Sequence, residues 1–389
     1  MPGSGIRGHS CLSRSSSAGG ASRQAHPKIL ASLKLPEIDL PPEPQRSLRL
    51  HLDQEALADN WRALDRLSGS ASASAVVKSN SYGLGLGQAM PVLLEAGARE
   101  FFIARWNEIV GILRHVAPDR VGVLHGPRSP EHAAYARAAG VRPVINSLEQ
   151  ARYWLDAGGG SCHLMVDTGI NRLGIAMAQI GEPLLARLEI DLLMSHLASA
   201  DEDVALNAVQ RARFGEACAA IPAKRRSLAN SAGIALGSDY AFDLTRPGVA
   251  LYGGVPRPEL AGIIRQVAFP QAAIIQVRQL VAGDIVGYNA QFTAPGPMRV
   301  GVVSLGYADG FMRSWGARGA LQFGAARLPL LGKVSMDMVV VDLAAAPEAG
   351  EGDWLDVPYY LPDAAPASGL SQYELLTVLG SRFARQPAP

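Results

Sequence analysis

The sequence predicts an α/β fold, a (β/α)8 TIM-like barrel followed by a mostly β C-terminal domain. Three observations carry that expectation. From about residue 47, short apolar runs alternate with amphipathic helical segments, the rhythm of parallel strands joined by helices. Past about Pro270 the rhythm gives way to β-rich runs separated by turns such as Ala282-Gly283-Asp284. No glycine-rich phosphate fingerprint opens the first unit, which disfavours an open doubly wound sheet.

Leu48, Leu50 and Leu52 alternate as in a half-buried strand, and Gln54–Leu67 places Leu57, Trp61 and Leu64 on one helical face. The pairings then follow in order: Ala75–Val77 with Ala89–Ala96, Phe101–Ala104 with Glu108–Val116, and Val121–Leu124 with Glu131–Ala138. Further strand-like runs fall at Val144-Ile145, His163–Val166, Leu192–His196, Ser227–Ala229 and Phe242–Thr245. About eight such units close a barrel. Beyond them Ala273–Val277, Arg299–Ser304, Leu328–Leu330 and Val339–Leu343 read as strands, with helical pattern returning near Tyr373–Phe383. The expected division is therefore a disordered extension at 1–46, a barrel at 47–272 and a β domain at 273–389. The first strand is free to pair with the β domain.

Composition excludes several classes. Lys+Arg 36 against Asp+Glu 35 leaves a net charge of +1, which gives no global attraction to nucleic acid or anionic membrane. No apolar stretch approaches the ~18 residues of a membrane span. Cys11, Cys162 and Cys218 are scattered without metal-ligand spacing, so reduced thiols in a cytoplasmic protein are expected and no metal site is. Residues 1–36 hold no acidic residue and are rich in Ser, Gly and Arg. They are expected to be a disordered extension or the product of an upstream start, ahead of an organelle-targeting peptide.

Functional groups of such a barrel gather at the C-terminal ends of its strands. Lys78 ends the apolar run Ala75–Val77 and precedes Ser79-Asn80-Ser81-Tyr82-Gly83-Leu84-Gly85. An amine at that position is partly desolvated, which lowers its pKa and makes it nucleophilic toward carbonyls. Arg172 lies in the run after His163–Val166, and His196 closes Leu192–His196. Ser231 follows Ala229-Asn230, and Arg246-Pro247-Gly248-Val249 follows Phe242–Thr245. Singly, each has an ordinary explanation: a rim arginine, a core histidine, a helix-capping serine. Together, a lysine, an imidazole, hydroxyl and amide donors and two arginines suit a phosphorylated aromatic aldehyde such as pyridoxal phosphate.

From about Leu48 to Arg385 the chain resembles the alanine racemase family. The likeness rests on the lysine run, on Val166-Asp167-Thr168-Gly169-Ile170-Asn171-Arg172-Leu173-Gly174, and on Ser195-His196-Leu197-Ala198-Ser199-Ala200-Asp201. Ala229-Asn230-Ser231-Ala232 and Arg246-Pro247-Gly248-Val249-Ala250-Leu251-Tyr252-Gly253 continue it. In the second domain Val286-Gly287-Tyr288-Asn289, Leu305-Gly306-Tyr307-Ala308-Asp309-Gly310 and Gly332-Lys333-Val334-Ser335-Met336-Asp337 follow in the family's order.

The resemblance implies pyridoxal phosphate attached at Lys78 and a two-base interconversion of L- and D-alanine, for cell-wall precursors or alanine catabolism. Lys78 would serve one face of the substrate's α-carbon and Tyr288 the other, Tyr288 coming from a neighbouring subunit of a head-to-tail homodimer. Arg246 would face the pyridine nitrogen and His196 would stack on the ring. Tyr82, Ser231, Tyr373 and the Gly248-Val249 backbone would hold the phosphate. Met336 would meet the substrate carboxylate through its main-chain amide, Arg172 would take part in substrate binding and help lower the pKa of Tyr288, and Tyr307 would narrow the entrance.

Ser79 and Ser81 stand where the family usually has alanine or another small residue, and Leu84 replaces a usual histidine. Met165 occupies a position where many relatives carry a carbamylated lysine that braces the arginine corresponding to Arg172. A thioether can be neither carbamylated nor charged. A racemase of broader substrate choice, acting on serine or basic amino acids, is the first alternative. A decarboxylase of similar architecture is disfavoured by Thr245-Arg246-Pro247-Gly248 in place of its phosphate motif. A non-catalytic pyridoxal-phosphate-binding protein is disfavoured by the second domain and its tyrosine.

Overall fold

The computed structural model describes residues 40–387, so the expected extension lies outside the described residues as far as residue 39. Strand β1 (Leu48–Leu52) buries its alternate leucines, and Asp53 then caps α1 (Gln54–Leu67) by accepting the Ala56 N–H at 2.8 Å. The chain continues through β2 (Ser72–Ala73), β3 (Ala75–Val76), the turn α2 (Lys78–Tyr82), α3 (Leu86–Ala96), β4 (Phe101–Ile103), α4 (Ile109–Ile112) and β5 (Val121–Val123). Next come α5 (Pro130–Ala139), β6 (Arg142–Ile145), α6 (Leu148–Asp156), β7 (Ser161–Asp167), β8 (Ile175–Ala176) and β9 (Glu189–Met194). α7 (Ala205–Ala220), β10 (Arg225–Ser227), α8 (Ser231–Ala235) and β11 (Leu244–Thr245) complete this part.

The strands run parallel in the order β3-β4-β5-β6-β7-β9-β10. β11 closes the ring. It pairs with β2, and the Val76 N–H reaches Pro247 O at 3.0 Å on one side. On the other side Asp243 N–H donates to Arg226 O and Arg246 N–H to Ala229 O. Apolar residues of β3, β4, β5, β6, β7 and β9 are buried, as a filled barrel requires.

The second part is a largely antiparallel sheet. Its strands are β12 (Ala268–Leu280), the hairpin β13 (Ile285–Val286) with β14 (Phe292–Thr293), β15 (Met298–Val303), β16 (Ala320–Phe323), β17 (Ala326–Leu331), β18 (Val339–Asp342) and β19 (Trp354–Asp356). Helices α9 (Leu361–Ser368) and α10 (Gln372–Thr377) precede β20 (Ala384–Pro387). The sheet order is β15-β18-β17-β16-β19-β12-β1-β20, with β15 also paired to β12. β1 therefore lies in this sheet, antiparallel to β12 and parallel to β20.

Three local readings change. The 272/273 division falls inside β12. The helix expected at Glu108–Val116 shrinks to the single turn of α4, which contains Gly111 and is followed by Pro118. The strand expected at Ser227–Ala229 starts earlier, because the charged Arg225 and Arg226 at its foot conceal it from an apolar reading.

Candidate active site

Lys78 begins a turn with an unusual backbone. Ser79, Asn80, Ser81 and Tyr82 have φ of 54, 57, 55 and 54°, one full turn of left-handed helix built without glycine. Such a conformation costs L-residues roughly 1–2 kcal/mol each. Hydrogen bonds hold it from both ends: Glu108 Oε1 accepts the Ser79 N–H at 2.5 Å, and Asn80 Oδ1 accepts the Leu86 N–H at 2.7 Å. Gly83, at φ 86°, then passes so close to α10 that a Cβ there would sit 2.5 Å from Leu376 O. This turn swings Lys78 and Tyr82 together over the C-terminal mouth of the barrel, with the Lys78 amine 5.8 Å from the Tyr82 ring centroid.

A cavity of about 590 Å³ opens there. Lys78, Tyr82, Arg172, His196, Ser231, Arg246, Gly248, Val249 and Tyr373 all line it, as does Met165. A second cavity of about 540 Å³, beside Trp315 and Tyr359, contains none of the residues singled out by sequence. Burial and the Arg172 guanidinium hold the Lys78 amine below its ordinary pKa, opposed by the Glu108 carboxylate. The amine is thereby pushed toward the neutral form that can accept a proton.

Arg246 is 5 % exposed and lines the cavity. It donates to Ser227 Oγ and to the carbonyls of Ser195 and Leu228, and no carboxylate among the described residues pairs with it. Burial lowers its pKa to about 10, which leaves it protonated at neutral pH. His196 is held neutral, its pKa lowered to about 3 by burial and then by Arg246, Arg172 and Lys78. A neutral imidazole can lie against an aromatic ring without adding charge.

Part of the same cavity is rich in donors. Ser231 Oγ accepts the N–H groups of Gly248 and Ala250 at 2.8 and 3.2 Å, which frees its O–H to donate outward. The Gly248 amide, expected to meet phosphate directly, is thus engaged by Ser231. The glycine has a further role: a Cβ there would lie 2.2 Å from Tyr82 Oη. Tyr82 in turn packs on Tyr252, ring centroids 5.0 Å apart, and Tyr252 Oη donates to Val76 O. Burial raises the pKa of Tyr82 and lifts that of Tyr373 to about 12, so both phenols stay protonated as donors. Gln372 brings Tyr373 to the cavity by bonding both the N–H and the C=O of Val255.

These features test the fit of pyridoxal phosphate. A donor-only guanidinium without an acid partner would suit a ring nitrogen, a neutral imidazole a ring face, hydroxyls and a Cβ-free approach a phosphate, and a desolvated amine an aldehyde. The residues fit.

Asp167 shapes the loop carrying Arg172. Its carboxylate accepts the N–H groups of Gly169, Asn171 and Arg172 at 2.8, 3.1 and 2.9 Å. Met165 presents a thioether beside it, so no charged side chain braces Arg172 from that position.

Tyr288, Tyr307 and Met336 lie elsewhere. They occupy neighbouring loops of the β domain: a Cβ at Gly332 would meet Val286 O at 2.8 Å, Tyr307 N–H donates to Ser335 O, and Ala308 N–H to Met336 O. The Arg313 guanidinium lies 5.0 Å from the Tyr307 ring centroid. Tyr288 is 65 % and Met336 52 % exposed, and none of the three lines the barrel cavity of its own chain.

Sequence reasoning missed Glu108, His125 and Arg128. His125 and Arg128 line the cavity from the loop after β5, where the strand-end rule would have found them. Glu108 gave no such signal, since an acid at a helix start is ordinary.

Comparison with known proteins gives the same family throughout. The alanine racemase N-terminal domain matches residues 52–256 and the C-terminal domain residues 267–387. An alanine racemase of Methylobacterium nodulans is 40% identical over 362 residues, covering 87% of this chain and 95% of the relative. One from Rhodospirillum rubrum is 41% identical, covering 88% and 96%. A crystal structure of alanine racemase from Bartonella henselae with covalently bound pyridoxal phosphate superposes with a TM-score of 0.81 at 32% identity, covering 89% of this chain and all of that one. With both domains matched in order and relatives aligned over nearly their full length, the chain belongs to the alanine racemase family.

Proposed function

We propose that the chain interconverts L- and D-alanine with pyridoxal phosphate held at Lys78. The observation that carries this reading is the convergence, in one cavity, of a desolvated lysine, a buried arginine without an acid partner and a neutral histidine. Lys78 would attach the cofactor. Tyr82, Ser231, Tyr373 and the Gly248-Val249 segment would hold its phosphate, Arg246 its ring nitrogen and His196 its ring face. Bound there, the cofactor supplies an electron-withdrawing ring that makes the α-proton of an attached amino acid removable.

The residues divide the proton work. The Lys78 amine takes or returns the α-proton on one face of the substrate, and the Tyr288 hydroxyl does so on the other. Inversion requires both, since a single base returns the proton to the face it came from. Arg246 keeps its own proton and leaves the ring nitrogen unprotonated, which limits side reactions that need a stronger electron sink. Arg172 and the Met336 main chain orient the substrate carboxylate, while Tyr307 restricts the entrance to small side chains.

Tyr288, Tyr307 and Met336 reach such a site from a second copy of the chain, in a head-to-tail homodimer. The exposure of Tyr288 and Met336 on loops neighbouring the half-buried Tyr307 supports this arrangement. The same reading gives a cytoplasmic enzyme, in keeping with the free thiols of Cys162 and Cys218.

Purified chain given pyridoxal phosphate is expected to gain visible absorbance and to convert L-alanine into an equal mixture of both enantiomers in a chiral assay. Absorbance without racemisation, or no absorbance at all, overturns the assignment.

A further inference from the structure

We propose that Glu108 is a positioning residue for Lys78, its carboxylate fastening the backbone beyond the lysine to the end of strand β4. The inference rests on Lys78 being the cofactor lysine.

Strands β3 and β4 pair in parallel through Ala75↔Phe101 and Val76↔Phe102, and the last rung is the Val77 N–H donating to Phe102 O at 2.9 Å. At Lys78 the chain turns away into its left-handed helix and the ladder has no further backbone rung. The Ser79 N–H, at the start of a turn, has no partner within that turn. Glu108 supplies one through Oε1, while Oε2 accepts the N–H groups of Ala104 and Arg105 at 2.8 Å each. One carboxylate thus continues the β3–β4 connection by side chain. Lys78 is flanked on both sides by residues tied to the same strand.

The carboxylate also supplies charge. Lys78 faces Arg172 from the β7 loop, His125 from the β5 loop, His196 from the end of β9 and Tyr82 from its own turn. Arg128, Arg246 and Tyr373 share the cavity wall. Glu108 is the acidic group acting on the lysine in this surrounding, and it opposes Arg172. Glutamine cannot replace it fully. An amide has one accepting oxygen, and its NH2 would confront the N–H of Ser79 or those of Ala104 and Arg105.

Glu108→Gln and Glu108→Asp separate reach from charge, measured on the full chain. In the cofactor-loaded protein, amide hydrogen exchange over residues 77–86 should quicken about tenfold in both variants. In cofactor-free protein, the pH midpoint for acetylation of Lys78 should fall by about one unit in Glu108→Gln and stay near the wild-type value in Glu108→Asp. In Glu108→Gln, kcat should drop about tenfold, with KM for alanine changed less than about twofold. Wild-type exchange and midpoint in folded Glu108→Gln overturn the proposal, as does a lowered melting temperature with neither local change. If Glu108→Gln fails to fold, wild-type exchange in Glu108→Asp overturns it. Exchange and acetylation are read without turnover, so a chain that gains no colour with pyridoxal phosphate refutes the cofactor reading separately.

Discussion

At Gly248 a single methyl group separates an open cradle from a blocked one. The reason is the Tyr82 hydroxyl, 2.2 Å from where a Cβ would stand, on a ring that Tyr252 prevents from retreating. Gly248→Ala should displace Tyr82 and weaken pyridoxal phosphate binding about tenfold or more, or ~1.4 kcal/mol. An absorbance titration measures it, and an unchanged dissociation constant would refute the cradle. The sequence made Lys78 legible because a polar residue closing an apolar strand belongs at the barrel mouth. It could not make Glu108 legible, because that carboxylate's partners include a backbone amide 29 residues away.

Among the elements, the turn α2 and the foot of the barrel show what periodicity misses. A glycine-rich turn after Lys78 was readable, but four left-handed non-glycine residues run against local preference and are set by tertiary contacts. At the foot, Arg225 pairs with Glu100 and Asp191, Arg142 with Asp191, and His163 Nδ1 lies 3.8 Å from the same carboxylate. These residues come from strands β6, β7, β9 and β10 and from the residue before β4. As isolated charges they obscured the strand starts, and only closure of the ring gives them partners.

Burial holds His163 well below its ordinary pKa despite Asp191, with the neighbouring arginines assisting. The unfolded chain therefore binds a proton that the folded chain refuses. The histidine's contribution to stability is full above about pH 6.5 and is lost progressively as pH falls below it, at up to ~1.4 kcal/mol per pH unit. Urea unfolding between pH 7 and pH 5 should show this loss, and His163→Leu should reduce its slope. An equal slope in the variant would contradict the assignment.

For the whole molecule, the barrel-plus-β plan was legible because the two parts have different periodicities. Its exact division was not, since β12 runs continuously across the expected boundary, whereas β1 joins the far sheet as its sequence position allowed. The packing of α10 on the α2 turn brings Tyr373 to the cavity from the end of the chain. Tyr288 takes no part in that cavity and remains exposed on the β domain.

On this account one chain holds the lysine half of the reaction and presents the tyrosine half to another. The most direct test mixes two inactive variants, Lys78→Ala and Tyr288→Phe, under conditions that exchange subunits. About half of the dimers are then mixed, and each mixed dimer has one complete site, so about a quarter of wild-type racemase activity should return. Verified mixed dimers that stay inactive while wild-type chain is active would contradict the shared two-base site.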